Sequence, residues 1–215
     1  MSNDILKIDT SAGLVGERTG IEKVETFTLV DENDPILAEV MPEFDFANPP
    51  VKPDRFASNL VETCKFHRGI GLSANQCGFK YRVFVMGFGD NYVAHFNPKI
   101  ISVSDETVHM MEGCLSYEHL WISITRPASV TVQFQNHLGE HIQSTYTGVT
   151  ARCFLHEYDH MEGILYTSRA KPLALKSGKD KRAKLHKRMK KANEKLATRV
   201  RTQSPKKPRI LIPKV

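Results

Sequence analysis

The stretch HEYDHMEG, residues 156–163, sets the terms for the rest of the chain. In a helix of 3.6 residues per turn, positions i and i+4 share a face. His156 and His160 therefore point the same way, with Glu157 beside the first of them. That spacing suits two neutral imidazoles holding a divalent metal while a carboxylate takes a proton from water at the metal. Just upstream, Val149, Cys153 and Phe154 make the segment apolar, and Gly163 suits a stop, so the pattern predicts a helix over 149–162. An apolar helix of this kind buries its histidines, and buried imidazoles need partners.

Working outward, DRFASNLVETCKFHRG places Phe56, Leu60, Cys64 and His67 at helical spacing after Pro53, which predicts a helix over 54–68 ended by Gly69. YRVFVMGF and YVAHFNPKIISVSDETVHM are rich in β-branched and aromatic residues and read as strands, with a hairpin at Gly89-Asp90-Asn91. SVTVQFQNHLGEHIQSTYTG alternates around 136–140 and reads as a second hairpin. Residues 27–53 mix short apolar pieces with prolines and acids and are expected to loop. The sum is one α+β domain, with antiparallel sheets packed around the motif helix.

At 215 residues the chain buries a core without disulfides, and its composition, 40% hydrophobic and 25% charged, is that of a globular protein. Cys64, Cys77, Cys114 and Cys153 show no paired secretory framework, and the N-terminus lacks a signal-peptide pattern. No apolar run approaches the roughly 20 residues of a bilayer span. These features point to a cytoplasmic protein with free thiols and no membrane partner. The net charge of +6 hides a division: residues 171–215 hold 17 Lys and Arg against Asp180 and Glu194, while the remainder is acidic. Three regions are expected: a loosely ordered leader over 1–20, a catalytic domain over 21–170, and a basic C-terminal helix and tail over 171–215.

Two histidines leave a catalytic metal site one ligand short. A further histidine in H-E-x-x-H-x-x-G-x-x-H is excluded because residue 166 is tyrosine, and the one glutamate after Glu162 is Glu194, isolated in the basic tail. The remaining route is upstream, where MEGCLSYEH, residues 111–119, places Cys114 at the end of a predicted strand. A lone cysteine is most often a small buried hydrophobe, so its neighbours decide its reading.

GIGLSANQ (69–76), EGCLS (112–116) and HEYDH (156–160) follow in this order, and together they closely resemble the signature motifs of the peptide deformylases. The resemblance extends over about 27–166, with DPIL near its start and GVTARCFLHE leading into the motif helix. It implies a hydrolase that removes the formyl group from the N-terminal formylmethionine of nascent polypeptides and releases formate, a step of N-terminal methionine processing in protein biosynthesis. It further implies that Cys114, His156 and His160 bind the metal, with water as fourth ligand, and that Glu157 is the general acid/base. Gln76 and the backbone N–H of Leu115 would form the oxyanion hole, and Gly71 would lie beside the substrate. Ile70, Val149 and Cys153 would line the methionine pocket. Fe²⁺ is the favoured metal, and a mixed thiolate–imidazole set also accepts Zn²⁺, Ni²⁺ or Co²⁺.

Around these residues, Glu112 and Asp159 are expected to orient ligands, and Arg152 to form a structural salt bridge. The chain departs from the family in carrying Ser73 where many members have alanine and Leu155 where many have glutamine. After EGCLS it reads YEHLWISITR, with no arginine before Arg126. Trp121, the sole tryptophan, falls in that run and is expected to pack on the substrate. Two other classes are weighed against the deformylase. A general zincin peptidase would leave Cys114 and Gln76 as coincidences, and a non-catalytic RNA-binding protein would leave Glu157 without a task. In the tail, Leu185, Met189, Ala192, Leu196 and Val200 share one helical face among lysines and arginines, before SPKKP breaks the helix. A polyanion, ribosomal RNA, is the expected partner of that helix.

Overall fold

The computed structural model describes residues 25–203, with side chains described to residue 198. The leader expected over 1–20 and the SPKKP break at 204–208 lie outside the described residues. Residues 25–52 carry a 3-10 turn at Pro35–Ala38, capped by the Asp34 carboxylate, and a single bridge from Val40 to Glu162. Helix α1 (Pro53–Phe66) follows, with proline at its first position, where no intrahelical N–H bond is lost. Then come strands β1 (Gly71–Ser73), β2 (Val83–Phe88), β3 (Asn91–Val103), β4 (Thr107–Cys114), β5 (Tyr117–Pro127), β6 (Ser129–Gln135) and β7 (His141–Thr147). Helices α2 (Gly148–Met161) and α3 (Pro172–Gln203) complete the order. The fold is α+β: a five-stranded antiparallel sheet, β1-β2-β3-β6-β7, and a separate antiparallel hairpin, β4-β5.

Strand β2 explains the layering. Successive side chains of a strand point to opposite faces, and both faces of β2 are buried. Phe84 and Met86 pack with Val132, Phe134, Tyr146 and Phe154 on the α2 side. Val83 and Val85 pack with Phe56, Leu60, Cys64 and Phe96 on the α1 side. The two helices thus clasp one end of the sheet between them. In β5 the inward positions are Leu120, Ile122 and Ile124, which form a third cluster with Tyr166 and the first turns of α3 through Ala174 and Leu175.

Helix α3 begins as part of this packing. Gly178 is buried against the carbonyl of Trp121, where a Cβ would fall 2.9 Å from the oxygen, and Arg182 pairs with Glu32. From residue 183 to 198 the helix is exposed on all sides, including Leu185, Met189 and Leu196.

Both shorter helices end in the same way. After α2, Gly163 adopts φ 65°, its N–H reaches His160 O, and the Ile164 N–H reaches Asp159 O, which is the expected glycine-terminated motif. After α1 the same pair of bonds forms from Arg68 to Lys65 O and from Gly69 to Cys64 O. The helix therefore ends at Phe66, two residues before the expected boundary, and the left-handed residue is Arg68 (φ 57°) rather than Gly69. Packing explains the displaced glycine: a Cβ at position 69 would lie 2.7 Å from Leu115 Cδ1.

His95 of β3 is fully buried between Phe84 and Phe134, with its Nε2 2.9 Å from the Tyr146 hydroxyl. Burial pulls its pKa down to about 3, so the folded protein holds the ring neutral. The unfolded chain protonates near the ordinary 6.5, and stability is therefore lost as pH falls through 6.5 toward 3. His95→Phe, compared with wild type by urea unfolding at one metal loading, should remove a slope of about 1.4 kcal/mol per pH unit in that window. Parallel pH profiles of the two proteins would contradict this assignment.

Candidate active site and metal centre

Three segments meet where α2 crosses the hairpin. From α2 come His156 and His160, one turn apart with ring centroids 5.3 Å from each other. Strand β4 ends on Cys114, whose Sγ lies 3.4 Å from His160 Nε2. One ligand atom from each of Cys114, His156 and His160 lies within 4.8 Å of the others, and this is the one such group among the described residues. A thiol and two imidazoles in that triangle suit a divalent ion held by three protein ligands with one side open. The third segment is the turn Ala74–Cys77 after β1, which delivers Gln76.

Gln76 is held by four hydrogen bonds. Its Oε1 accepts from the Ser73 backbone N–H (3.0 Å) and the Ser73 hydroxyl (2.9 Å). Its Nε2 donates to Cys114 Sγ (3.3 Å) and to Ser116 Oγ (3.0 Å). The amide therefore cannot flip without breaking all four, and its donor side faces the sulfur. The Ser73–Gln76 pair is also a capping box, whose S-x-x-Q spacing is legible in sequence.

Behind the imidazoles lies a buried ionic network. Glu112 Oε2 is 3.2 Å from His156 Nδ1, which leaves His156 Nε2 for the centre. Arg126 donates to both oxygens of Glu112 (2.7 and 2.9 Å), to Asp159 (2.7 Å) and to the carbonyl of Leu155 (3.2 Å). Arg152 also reaches Glu112 (2.7 Å), and Arg169 reaches Asp159 (2.6 Å). Burial alone would raise the Glu112 pKa, but His156, Arg126 and Arg152 outweigh it and hold the carboxyl well below its usual range. Burial alone would lower the His156 pKa, but the Cys114 sulfur and Glu112 push it up to about 10. For His160, burial and the charge facing it lower the pKa, and its Nδ1 has no hydrogen-bond partner among the described residues.

The expectation for Asp159 needs correction. It contacts neither imidazole but anchors Arg126 and Arg169, because the turn of α2 carries its side chain toward β5. Arg126 was not read from sequence as part of the site, although a signal existed. It continues the inward series Leu120, Ile122, Ile124, and an arginine on the buried side of an alternating strand needs carboxylates to meet.

Glu157 is buried, and its Oε2 has no hydrogen-bond partner among the described residues. Burial raises its pKa to about 7, partly offset by the charge on His156. Gly71 lies against it: a Cβ there would overlap the Glu157 carboxylate and fall 2.8 Å from Cys153 Sγ. A cavity of ≈ 920 Å³ opens over these groups. Ile70, Gly71, Gln76, Cys114, Leu115, Trp121, Val149, Cys153, His156 and Glu157 all line it. His160 does not; it sits buried beneath Cys114 and His156. Trp121 is 58% exposed and stacks over Gly113, so it forms a wall of the cavity rather than part of the core.

Removing the Arg126 side chain would leave buried Glu112 with one arginine, Arg152, and buried Asp159 with one, Arg169, and would break the link it makes between β5 and α2. Arg126→Ala should cost about 3–5 kcal/mol in urea unfolding at fixed metal loading. A loss below about 1 kcal/mol would show that the network does not hold the hairpin to α2.

Comparison with known proteins agrees with this geometry. Residues 27–176 match the family model described as polypeptide deformylase. The chain is 39% identical over 142 residues to the peptide deformylase of Thermotoga neapolitana, covering 65% of this chain and 84% of that one. It is 36% identical over 145 residues to the peptide deformylase of Desulforudis audaxviator, covering 67% and 93%. The crystal structure of peptide deformylase from Thermotoga maritima superposes with a TM-score of 0.61 at 33% identity, covering 69% of this chain and 99% of that one. The family match spans most of the chain, and the chain therefore belongs to the peptide deformylases, a family of enzymes.

Proposed function

We propose that the protein is a metal-dependent hydrolase that removes the formyl group from the N-terminal formylmethionine of nascent polypeptides in the cytoplasm. The catalytic unit is residues 21–170, preceded by a leader over 1–20 and followed by the basic helix and tail from 171. The observation that carries the reading is the meeting, at one cavity, of the Cys114–His156–His160 triangle that forms its floor, the Gln76 amide and the Glu157 carboxylate with its unpartnered Oε2. Cys114, His156 and His160 would hold the ion, Fe²⁺ by preference, with Zn²⁺, Ni²⁺ or Co²⁺ able to substitute. When bound, the ion supplies Lewis-acid polarisation and makes water more acidic.

The remaining steps belong to the chain. Ile70, Val149 and Cys153 receive the unbranched thioether side chain, with Trp121 covering it. Gln76 Nε2 and the Leu115 backbone N–H donate to the formyl oxygen as charge develops on it. Glu157 accepts a proton as water adds to the formyl carbon, then delivers it to the departing nitrogen as the C–N bond breaks, leaving formate and a free amine. Its burial and free oxygen suit both halves of that task. Gly71 keeps the backbone close enough for the peptide to lie beside the carboxylate.

Formate release from a formyl-Met peptide should be strong with Fe²⁺ or Ni²⁺ loaded anaerobically and should vanish on chelation. Glu157→Ala should reduce it by about 10²–10⁴-fold. Release that survives this substitution would contradict the assignment of Glu157.

The exposed part of α3 is read as a contact for ribosomal RNA near the emerging nascent chain. Its support is the density of lysines and arginines along a helix whose residues are all exposed from 183 to 198. Truncation after residue 184 spares Leu175, Gly178 and Arg182, which pack on the body. The truncated protein should lose salt-sensitive co-sedimentation with ribosomes and keep hydrolysis of a small peptide. Undiminished co-sedimentation would contradict this role.

A further inference from the structure

Among the described residues, three non-glycine residues have positive φ: Arg68, Asn97 and His119. Asn97 has a structural reason, since its side chain bonds both the N–H and the carbonyl of Phe44. Arg68 and His119 have none of that kind, and both line the cavity. Arg68 occupies the position where α2, ending in the same motif, has Gly163. Glycine is the least strained residue there, so an arginine costs local stability that its own contacts do not return. Its side chain is exposed and makes no hydrogen bond or ion pair among the described residues. The neighbouring cations are engaged: Lys65 with Glu62 and Asp90, Arg152 with Glu112.

The opposite wall, on β4 and β5, presents Met111 and Trp121, which are 52% and 58% exposed. Among the described residues it offers no free guanidinium or ammonium: Arg126 is buried against Glu112 and Asp159, while Glu118 and His119, 3.2 Å apart, also line it. Among the described residues, the cleft leading away from Glu157 therefore has one side with exposed Met111 and Trp121 beside the Glu118–His119 pair, and a facing side carrying one unpaired guanidinium. Arg68 stands two residues before Ile70 and three before Gly71, both placed beside the bound methionine in the reading above.

We propose that Arg68 is a specificity-determining residue that reads the side chains following the methionine and favours a carboxylate at the second to fourth position of the peptide. The proposal rests on the deformylase reading of the site. Formyl-Met peptides amidated at the C-terminus, so that no terminal carboxylate competes, are compared with Glu, Gln or Lys at each of these positions. Wild type should show a kcat/KM ratio of Glu to Lys peptide of about three- to ten-fold at low salt at one position at least, falling toward one at about 0.5 M salt. Arg68→Gln should level the ratio and Arg68→Glu should invert it; ratios taken within each variant cancel any general loss of activity.

A ratio near one in wild type, or the same ratio in all three proteins, would overturn the proposal. Fluorescence of Trp121, the sole tryptophan, follows binding of the same peptides without turnover. Charge-selective binding that follows Arg68, without formate release, would sink the hydrolase reading and sustain the role of Arg68.

Discussion

The arrangement depends on one buried guanidinium. Arg126 sits at the inner edge of the hairpin and bonds Glu112 on β4, Asp159 on α2 and the Leu155 carbonyl one turn earlier on α2. The hairpin does not belong to the five-stranded sheet, so no ladder of backbone bonds fixes it to the rest of the fold. Cys114 lies on the hairpin and His156 and His160 on α2, so the distance between sulfur and imidazoles is set across that seam. Ion pairs of this kind are poor sources of net stability, because desolvating the charges offsets their attraction. Their contribution here is geometric: Glu112 both receives Arg126 and orients His156, so one carboxylate couples the clamp to the centre.

The same seam determines the electrostatics of the cavity. Arg126 and Arg152 meet Glu112 and hold its carboxyl well below the usual range, while Arg126 and Arg169 pair with Asp159. Glu157, one residue along from His156, pairs with no arginine among the described residues, and burial, aided by the charge on Glu112, moves its pKa upward. Two glutamates within one site are thus set to different tasks by their surroundings, the first as a fixed anion and the second as a group that can exchange a proton.

Much of this was legible in the sequence, and the reasons differ by element. The i, i+4 histidines fixed a helix face, and that face is where the structure puts them. The hairpins at Gly89-Asp90 and around 136–140 lie where turn residues interrupt alternating strands. The partition into a five-stranded sheet and a separate hairpin could not be read, because pairing between distant strands leaves no local pattern. The end of α1 was misplaced because the sequence rule looks for glycine in the left-handed position, whereas here packing against Leu115 put the glycine one residue later. Asp159 was misassigned because adjacency to a ligand in sequence does not give the direction of a side chain. In α3, a dense run of basic residues hid the point, just after Arg182, beyond which every described residue of the helix is exposed.

Everything proposed for the centre requires Cys114, His156 and His160 to hold one ion together. X-ray absorption at the metal edge of the Zn²⁺-loaded protein tests this directly. One sulfur scatterer at about 2.3 Å and two imidazole nitrogens at about 2.0–2.1 Å are expected, with the sulfur lost in Cys114→Ser. A first shell without sulfur in the wild-type protein would contradict it.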